Sequence, residues 1–185
     1  MKNTILNIIL TTMTDTKIDT EETNEGFIPP EEYVDVIKKT QIISTDFLIF
    51  NHEGQILLGK RNNEPAKGTW FVPGGRVRKH ELIGDAVKRI TKQELGKTLE
   101  KTSDLGVYHH IYPNNFANDD HGTHYVVFAV NIVLETDDNY DLTQVPDDQH
   151  STLKWWNVED ILTHPAVHNY TKNYFHPAPY NKAFM

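Results

Sequence analysis

The chain has 185 residues, with 18 basic and 26 acidic side chains, a formal net charge of −8 and no cysteine. This length suits one domain of common size, which buries roughly 70% of the surface exposed by its unfolded chain. The absence of cysteine excludes disulfides, thiolate zinc sites and thiol nucleophiles. The acidic balance argues against nucleic acid and anionic membranes as partners, since both attract positive charge.

The first 26 residues differ in composition from the remainder of the chain. Their apolar run, residues 5–10, is interrupted by Asn7, is too short to span a bilayer and is followed by no small-residue cleavage site. Residues 11–26 are polar and acidic. We therefore predict a disordered leader over 1–26, one domain over 27–175, a C-terminal tail over 176–185 and a cytoplasmic location.

The first half of the domain reads as a helix followed by short strands. A helix is predicted after the prolines at 29–30, because proline and acidic side chains favour a first turn and lysines end the segment. Turn formers join the apolar runs Ile42–Phe50 and Gln55–Leu58 into a predicted hairpin. A strand over Thr69–Val72 then stops at Pro-Gly-Gly, residues 73–75, where we expect a special loop with unusual backbone angles and no ladder hydrogen bonds.

The second half contains the strongest helix signal. Apolar positions recur every three and four residues from Glu81 to Leu95, and Gly96 supplies a stop. Further strands are predicted over 107–112, 125–134 and 153–157, and short helices over 158–163 and within 166–175. The mixture predicts one mixed sheet with helices, of α+β or α/β sandwich type.

Glu94 falls on the apolar face of that helix, about 20° from Ile83 at 100° per residue. Because burying an unpaired charge costs several kcal/mol, this carboxylate needs a partner. One interpretation is a helix-end glutamate beside an arginine such as Arg89. The other is a metal ligand, since the preceding Gly74 and Gly75 can offer bare backbone oxygens, and Mg²⁺ prefers carboxylate, carbonyl and water oxygens.

Basic residues are concentrated before this helix, with Glu64 as the one carboxylate between positions 59 and 80. The basic cluster consists of Lys60, Arg61, Lys67, Arg76, Arg78 and Lys79. Such a cluster is either a solvated surface or a site for a magnesium-bound polyphosphate whose oxygens are taken by forked arginine groups.

Five residues, Gly75, Glu81, Arg89, Glu94 and Gly96, resemble the Nudix box, G-x5-E-x7-R-E-U-x-E-E-x-G-U. This resemblance to the Nudix hydrolase superfamily implies a mixed sheet between helices and a loop-helix-loop that binds metal and a diphosphate. The departures from the box are Ile90 and Gln93, which replace glutamates, and Lys97, which replaces an apolar residue.

The degenerate box and several other segments resemble the GDP-mannose mannosyl hydrolase branch of this superfamily. These segments are GKRNNEPAKGTWFVPGGRV, GVYHHIYPNNF, THYVV and DDQH, and the similarity extends over roughly residues 27–175. The resemblance implies hydrolysis of GDP-mannose, and often GDP-glucose, to GDP and free sugar with one Mg²⁺ per subunit. It implies inverting attack of water on the anomeric carbon and a homodimer.

The resemblance also implies roles for individual residues. The implied magnesium ligands are the Gly74 carbonyl, Glu94 and Gln149, and the implied general base is His150. The implied substrate contacts are Arg61 and Tyr125 at the departing diphosphate, Arg76 nearby in the box loop, and Asp46 and His110 at the sugar or base end.

Each of these residues also has a structural interpretation. Tyr125 starts a predicted strand and is a candidate packing aromatic, Asp46 interrupts an apolar run, and His150 ends a polar loop. His164 and His168 lack the HExxH carboxylate and are expected at the surface. The spacing of His109, His110, His121 and His124 does not resemble a zinc ligand set.

Two other functions fit the same fold. One is a pyrophosphatase that cleaves between phosphates of a nucleotide or nucleotide sugar, against which the missing box carboxylates argue. The other is a non-catalytic module that binds a nucleotide sugar or a protein, since fold alone does not establish activity. Retention of Glu94, Gln149 and His150 together argues against that module.

Overall fold

The computed structural model describes residues 26–117, 120–135 and 150–176, and only the backbone of His150. Its helices are α1 (Pro30–Lys39), α2 (Ile83–Leu95), α3 (Val158–Thr163) and α4 (Asn169–Asn173). Its strands are β1 (Ile42–Phe50), β2 (Ile56–Arg61), β3 (Trp70–Phe71), β4 (Gly74–Arg76), β5 (Ser103–Tyr112), β6 (Thr123–Val133) and β7 (His150–Trp156). The predicted leader and tail lie outside the described residues except for Gly26 and His176, so those boundaries stay predictions.

The described residues form one seven-stranded mixed sheet with the order β3-β2-β1-β6-β5. Strand β1 runs parallel to β6 along its whole length, whereas its other pairings are antiparallel. Along its other edge, β1 pairs with β4 over Ser44–Asp46 and meets β2 at Phe50. Strand β7 extends the sheet by pairing with β2. The middle of β1 therefore lies where β2 and β4 diverge.

Helices cover both faces of the sheet, which confirms the predicted sandwich. On one face, Val87 and Ile90 of α2 belong to a buried cluster with Phe47 and Ile49 of β1. On the other face, a second cluster joins Leu48 of β1 to residues of α3 and the C-terminal segment. The alternation along β1 follows because successive strand residues point to opposite faces, and burial on both faces explains why residues 47–50 are all apolar.

Helix α2 begins at Ile83, two residues after the predicted start, and is followed by Gly96 in the left-handed conformation, with φ of 71°. A glycine adopts this conformation without the penalty that a Cβ imposes, so the predicted stop is confirmed. Glu94 is 9% exposed on the covered side of this helix, as the periodicity predicted. No helix in the described part of the chain is long and apolar enough to cross a membrane.

The expectation of a special loop at residues 73–75 is wrong. Gly74 and Gly75 belong to β4 and pair with Asp46 and Thr45 of β1, and neither glycine has a positive φ. Proline ends the preceding pairing, but its carbonyl still accepts a hydrogen bond from Phe47 N. A glycine is required at position 74 because β4 approaches Thr45 and Asp46 of β1 too closely for a side chain.

Candidate functional site

Asp46 lies at the centre of the candidate site, on β1 and beside Gly74 of β4. The carboxylate is 7% exposed. A Cβ added to Gly74 would lie 2.7 Å from Asp46 Oδ1 and 2.5 Å from the Thr45 carbonyl oxygen, both too short for real contacts. Only glycine therefore lets β4 approach this part of β1, which brings the backbone of Gly74 against the buried carboxylate.

Two side chains from distant parts of the chain meet Asp46. The Tyr174 hydroxyl donates a hydrogen bond to Asp46 Oδ2 at 2.6 Å and lies 3.2 Å from His110 Nε2. The other ring nitrogen, His110 Nδ1, lies 3.9 Å from the same carboxylate oxygen. Burial raises the pKa of Asp46 to about 7, although the Tyr174 hydrogen bond and the Arg61 charge oppose this shift. Burial also lowers the pKa of His110 to about 3, so its imidazole is neutral.

Arg61, at the end of β2, supplies the positive charge of this cluster. Its Nε donates to the Pro65 carbonyl oxygen at 3.0 Å, and its guanidinium carbon lies 5.9 Å from the centre of the Phe71 ring. Burial raises the pKa of Tyr125, the charge of Arg61 lowers it, and Asp46 raises it. The charges of Arg61 and Asp46 thus both act on Tyr125. The structure thus brings together four of the predicted site residues: Asp46, Arg61, His110 and Tyr125.

Aromatic rings that the sequence interpretation missed surround the cluster. Tyr170 stacks on His110 with ring centres 4.2 Å apart and planes 6° from parallel. Tyr112 contacts both Tyr125 and Tyr170, with centres 6.1 Å and 5.3 Å apart. Burial raises the pKa of Tyr112 well above its usual range, and the nearby Asp46 charge adds to this. The signal available in the sequence was the aromatic density of HNYTKNYF, residues 168–175, with tyrosines four apart.

The expectation that His168 lies at the surface is wrong. Its ring is half-buried against Phe71 and Tyr112, with ring centres 5.2 Å and 5.7 Å away. Burial first, and then the charge of Arg61, lower the pKa of His168 to about 4. Apolar packing against β3 and β5 overrides the polar character that the local sequence shows. His164 is exposed as predicted.

Glu94 approaches the cluster from α2. Its negative charge contributes to the raised pKa of Asp46, which is the register partner of Gly74. The Glu94 carboxylate and the Gly74 carbonyl are hard oxygen donors of the kind that Mg²⁺ prefers, and a cation held by them would relieve the repulsion between the charges of Glu94 and Asp46. The residues present therefore fit a divalent cation. The third predicted ligand, Gln149, lies outside the described residues.

The other charged pair of the box has a structural role. Glu81 accepts from Arg89 Nε at 2.6 Å and Nη2 at 2.8 Å, and also from the backbone N–H of Arg78. Burial raises the pKa of Glu81, but the hydrogen bonds and charges of the two arginines outweigh burial and lower it. Arg89 also donates to the Arg76 carbonyl oxygen at 2.9 Å. Arg89 thus pairs with Glu81 and fixes the end of β4 to α2.

Arg76 contacts α1, outside the cluster around Asp46. Its Nη2 donates to the Gly26 carbonyl oxygen at 2.9 Å, and its guanidinium lies 5.1 Å from the centre of the Tyr33 ring. Burial raises the pKa of Tyr33 above its usual range, and interaction with Tyr125 adds to this. Arg76 thus interacts with Tyr33, which in turn interacts with Tyr125 of the cluster.

His150, the predicted general base, begins β7. Its backbone is the register partner of Arg61, so the chain enters the sheet next to the cationic side of the cluster. This pairing brings the backbone of residue 150 to the site even though it is 89 positions from Arg61 in sequence. The role of its side chain stays a prediction.

A mixed sheet between helices, with a buried glutamate on the helix that follows a Gly-Gly strand, defines a hydrolase of the Nudix class. Residues 40–177 match the NUDIX domain, and the chain belongs to this family.

Comparison with known proteins identifies relatives with different names. The chain is 38% identical over 143 residues to the low-salt glycan biosynthesis protein Agl8 of Haloferax volcanii, covering 77% of this chain and 88% of that protein. It is 43% identical over 60 residues to an ADP-ribose pyrophosphatase of Methanocaldococcus jannaschii, covering 32% and 36% of the two chains.

Solved structures share the fold. The MutT protein from Methanosarcina mazei Go1 superimposes with a TM-score of 0.59 at 23% identity, covering 75% of this chain and 92% of that one. The MutT NUDIX hydrolase from Burkholderia pseudomallei gives a TM-score of 0.57 at 27% identity, covering 74% and 96%.

Proposed function

We propose that this protein hydrolyses a GDP-sugar, GDP-mannose or GDP-glucose, to GDP and the free sugar by attack of water on the anomeric carbon with inversion. The observation that carries this proposal is that two positions of the Nudix box that normally hold glutamates, 90 and 93, hold an isoleucine and a glutamine in this chain. Ile90 is 3% exposed and belongs to the apolar core, and Gln93 accepts a hydrogen bond from Arg89 Nη1 at 3.1 Å. Neither residue can supply a carboxylate ligand.

The loss of these carboxylates bears directly on the reaction. Attack on phosphorus is commonly assisted by two or more metal ions, which need several carboxylate ligands. Attack on a sugar carbon needs a neutralised leaving diphosphate and a general base on the opposite face of the sugar. Because Arg89 engages Glu81, we assign the metal to Glu94, the other glutamate of the box. One metal site suits the carbon attack.

Each residue of the cluster has a chemical task in this proposal. Mg²⁺ held by the Gly74 carbonyl, Glu94 and Gln149 would supply positive charge to the leaving diphosphate. The forked guanidinium of Arg61 binds phosphoryl oxygens, and the hydroxyl of Tyr125 donates to the same group. Asp46 and His110 orient the sugar. His150 removes a proton from the attacking water, and Arg76 assists from the box loop.

The relatives favour a nucleotide-sugar substrate. Agl8 bears a name from glycan biosynthesis, and its similarity covers most of both chains. Activated sugars are the building blocks of glycans, so an enzyme that acts on a nucleotide sugar fits such a context. A homodimer in the cytoplasm is part of the same proposal.

A pyrophosphatase is the second candidate, because part of the chain is similar to an ADP-ribose pyrophosphatase. That reaction would break the bond between two phosphates of the nucleotide sugar. It gives GMP and a sugar phosphate, which differ from GDP and free sugar in mass and charge. The two reactions are therefore distinguished by their products.

The test is hydrolysis of GDP-mannose and GDP-glucose with Mg²⁺ in ¹⁸O-labelled water, followed by mass spectrometry. We expect label in the free sugar and none in GDP. Label in a phosphate would refute attack on carbon and support the pyrophosphatase, whereas absence of turnover with retained nucleotide-sugar binding would indicate a non-catalytic module. Glu94→Gln is the matched control, because background hydrolysis would persist in it.

A further inference from the structure

The hydroxyl of Tyr174 joins two site residues that lie on different strands. Tyr174 follows α4, is 6% exposed and packs edge-on against Tyr108 with ring centres 4.7 Å apart. Its oxygen lies 2.6 Å from Asp46 Oδ2 and 3.2 Å from His110 Nε2. Burial and the adjacent Asp46 charge raise the pKa of Tyr174 well above its usual range, so the hydroxyl keeps its hydrogen.

Counting hydrogens fixes the direction of these two contacts. A tyrosine hydroxyl has one hydrogen to donate, and in this arrangement it goes to the carboxylate oxygen, which is the shorter contact. Toward His110 the same oxygen can therefore only accept. A neutral imidazole carries one N–H, and that N–H must then be on Nε2.

Neighbouring rings hold the ring of His110 in one orientation, so Nε2 and Nδ1 cannot exchange places by rotation of the ring. Tyr170 stacks on one face at 4.2 Å between ring centres, and Phe71 approaches edge-on at 5.8 Å. Tyr170 is itself fixed, because its hydroxyl donates to the Ile111 carbonyl oxygen at 2.7 Å and accepts from the Ile111 N–H at 2.9 Å. The position of the proton is thus decided by the partners of the two ring nitrogens.

We propose that Tyr174 is a positioning residue that keeps the proton of His110 on Nε2, so that Nδ1 and the Asp46 carboxylate act together as acceptors for a donor group of the substrate. Nδ1 lies 3.9 Å from Asp46 Oδ2, which is too long for a hydrogen bond between them. Two acceptors at this separation suit two neighbouring donor hydrogens, such as those of hydroxyls on adjacent carbons, and the identification of these donors with a substrate sugar rests on the proposed function.

Removal of the Tyr174 hydroxyl should change which nitrogen of His110 carries the proton. Phenylalanine at this position leaves Nε2 without its acceptor in an apolar surrounding. The carboxylate of Asp46 is then the acceptor nearest to the ring, on the side of Nδ1. We expect the proton to move to Nδ1, on the side of Asp46, which turns an acceptor for the substrate into a donor.

The first experiment reads the tautomer of His110 in the unliganded protein by long-range ¹H–¹⁵N correlation NMR at about pH 8.5, where carboxylates are ionised. The signals are assigned by their absence in His110→Gln. We expect the proton on Nε2 in wild type and in the control Tyr108→Phe, and on Nδ1 in Tyr174→Phe. A wild-type proton on Nδ1, or an unchanged tautomer in Tyr174→Phe, would overturn the proposal. If Tyr174→Phe does not fold, the wild-type spectrum still decides the tautomer.

The second experiment separates sugar recognition from general damage. For Tyr174→Phe we expect the KM for the GDP-sugar to rise about 5- to 10-fold, the scale of one lost neutral hydrogen bond, while inhibition by GDP stays within about twofold. An equal weakening of GDP binding would show a merely structural role and refute the assignment to the sugar. If wild type hydrolyses no GDP-sugar, the proposed function fails, and the NMR result stands apart from it.

Discussion

Replacing Asp46 by asparagine should stabilise the protein near neutral pH. The folded state raises the pKa of this carboxyl group from 3.8 to about 7, chiefly because the group is buried. At 1.36 kcal/mol per pH unit this shift corresponds to about 4 kcal/mol of unfolding free energy. Asparagine keeps an oxygen that can accept from the Tyr174 hydroxyl, so most of this free energy should be recovered.

The pH range of the effect follows from the direction of the shift. A group whose pKa is raised by folding binds its proton more tightly in the folded state, so its contribution is complete below the unfolded pKa and is lost as pH rises through about 7. The stability of Asp46→Asn relative to wild type should therefore be near zero below about pH 4 and rise through the interval. Above about pH 7 it should level off at roughly 3–4 kcal/mol.

The measurement is urea denaturation of both proteins between pH 4 and 8.5 in the presence of a chelator, so that a bound cation does not neutralise the carboxylate. Asp35→Asn, at an exposed position of α1, is the control and should show no such pH-dependent difference. A difference between Asp46→Asn and wild type that is constant across pH, or a variant that is less stable at pH 8, would refute the reasoning.

Three further predictions separate chemistry from stability. Glu94→Gln should lower turnover by about 10²-fold or more with little loss of stability. Glu81→Gln should lower the unfolding free energy by about 2–3 kcal/mol and affect turnover less, and equal effects of the two variants on turnover would contradict this division of roles. His150→Gln should lower turnover by about 10²- to 10⁴-fold and flatten the acidic limb of the pH–rate profile, and an intact limb would refute the assignment of His150 as the general base. Deletion of residues 1–25, which retains the Gly26 carbonyl that Arg76 contacts, should change the melting temperature by less than about 2 °C and leave activity unchanged.

Elements whose periodicity is strong were predictable from the sequence, and those that depend on distant contacts were not. The helix that ends before Gly96 is marked in the sequence by the three- and four-residue repeat of its apolar positions. Strand β1 is marked by its run of apolar residues. Residues 73–75 follow a different rule, because their conformation is set by the approach of β4 to Asp46. That contact joins positions 28 apart, and no local pattern predicts it.

The candidate site shows the same limit. Asp46 was detectable because a lone carboxylate interrupts an apolar strand, and Glu94 because it falls on the covered face of a helix. Tyr174 and His168 gave no comparable signal, since a short polar and aromatic segment is compatible with a surface helix. Their burial comes from packing against β3 and β5, which is a property of the tertiary structure.

The two glutamates that remain in the box perform opposite physical tasks, and this explains how the motif tolerates the loss of the others. Glu81 is satisfied by two arginine nitrogens and a backbone N–H, so it holds the strand-helix junction together at any stage of a reaction. Glu94 is buried beside Asp46, where like charges repel and a cation is favoured. Because the Glu81–Arg89 pair holds the junction and does not involve positions 90 and 93 as carboxylates, Ile90 and Gln93 are compatible with this contact. In the proposed function, these two replacements reduce the number of metal ions that the helix holds, and this favours attack of water on the sugar carbon over attack on phosphorus.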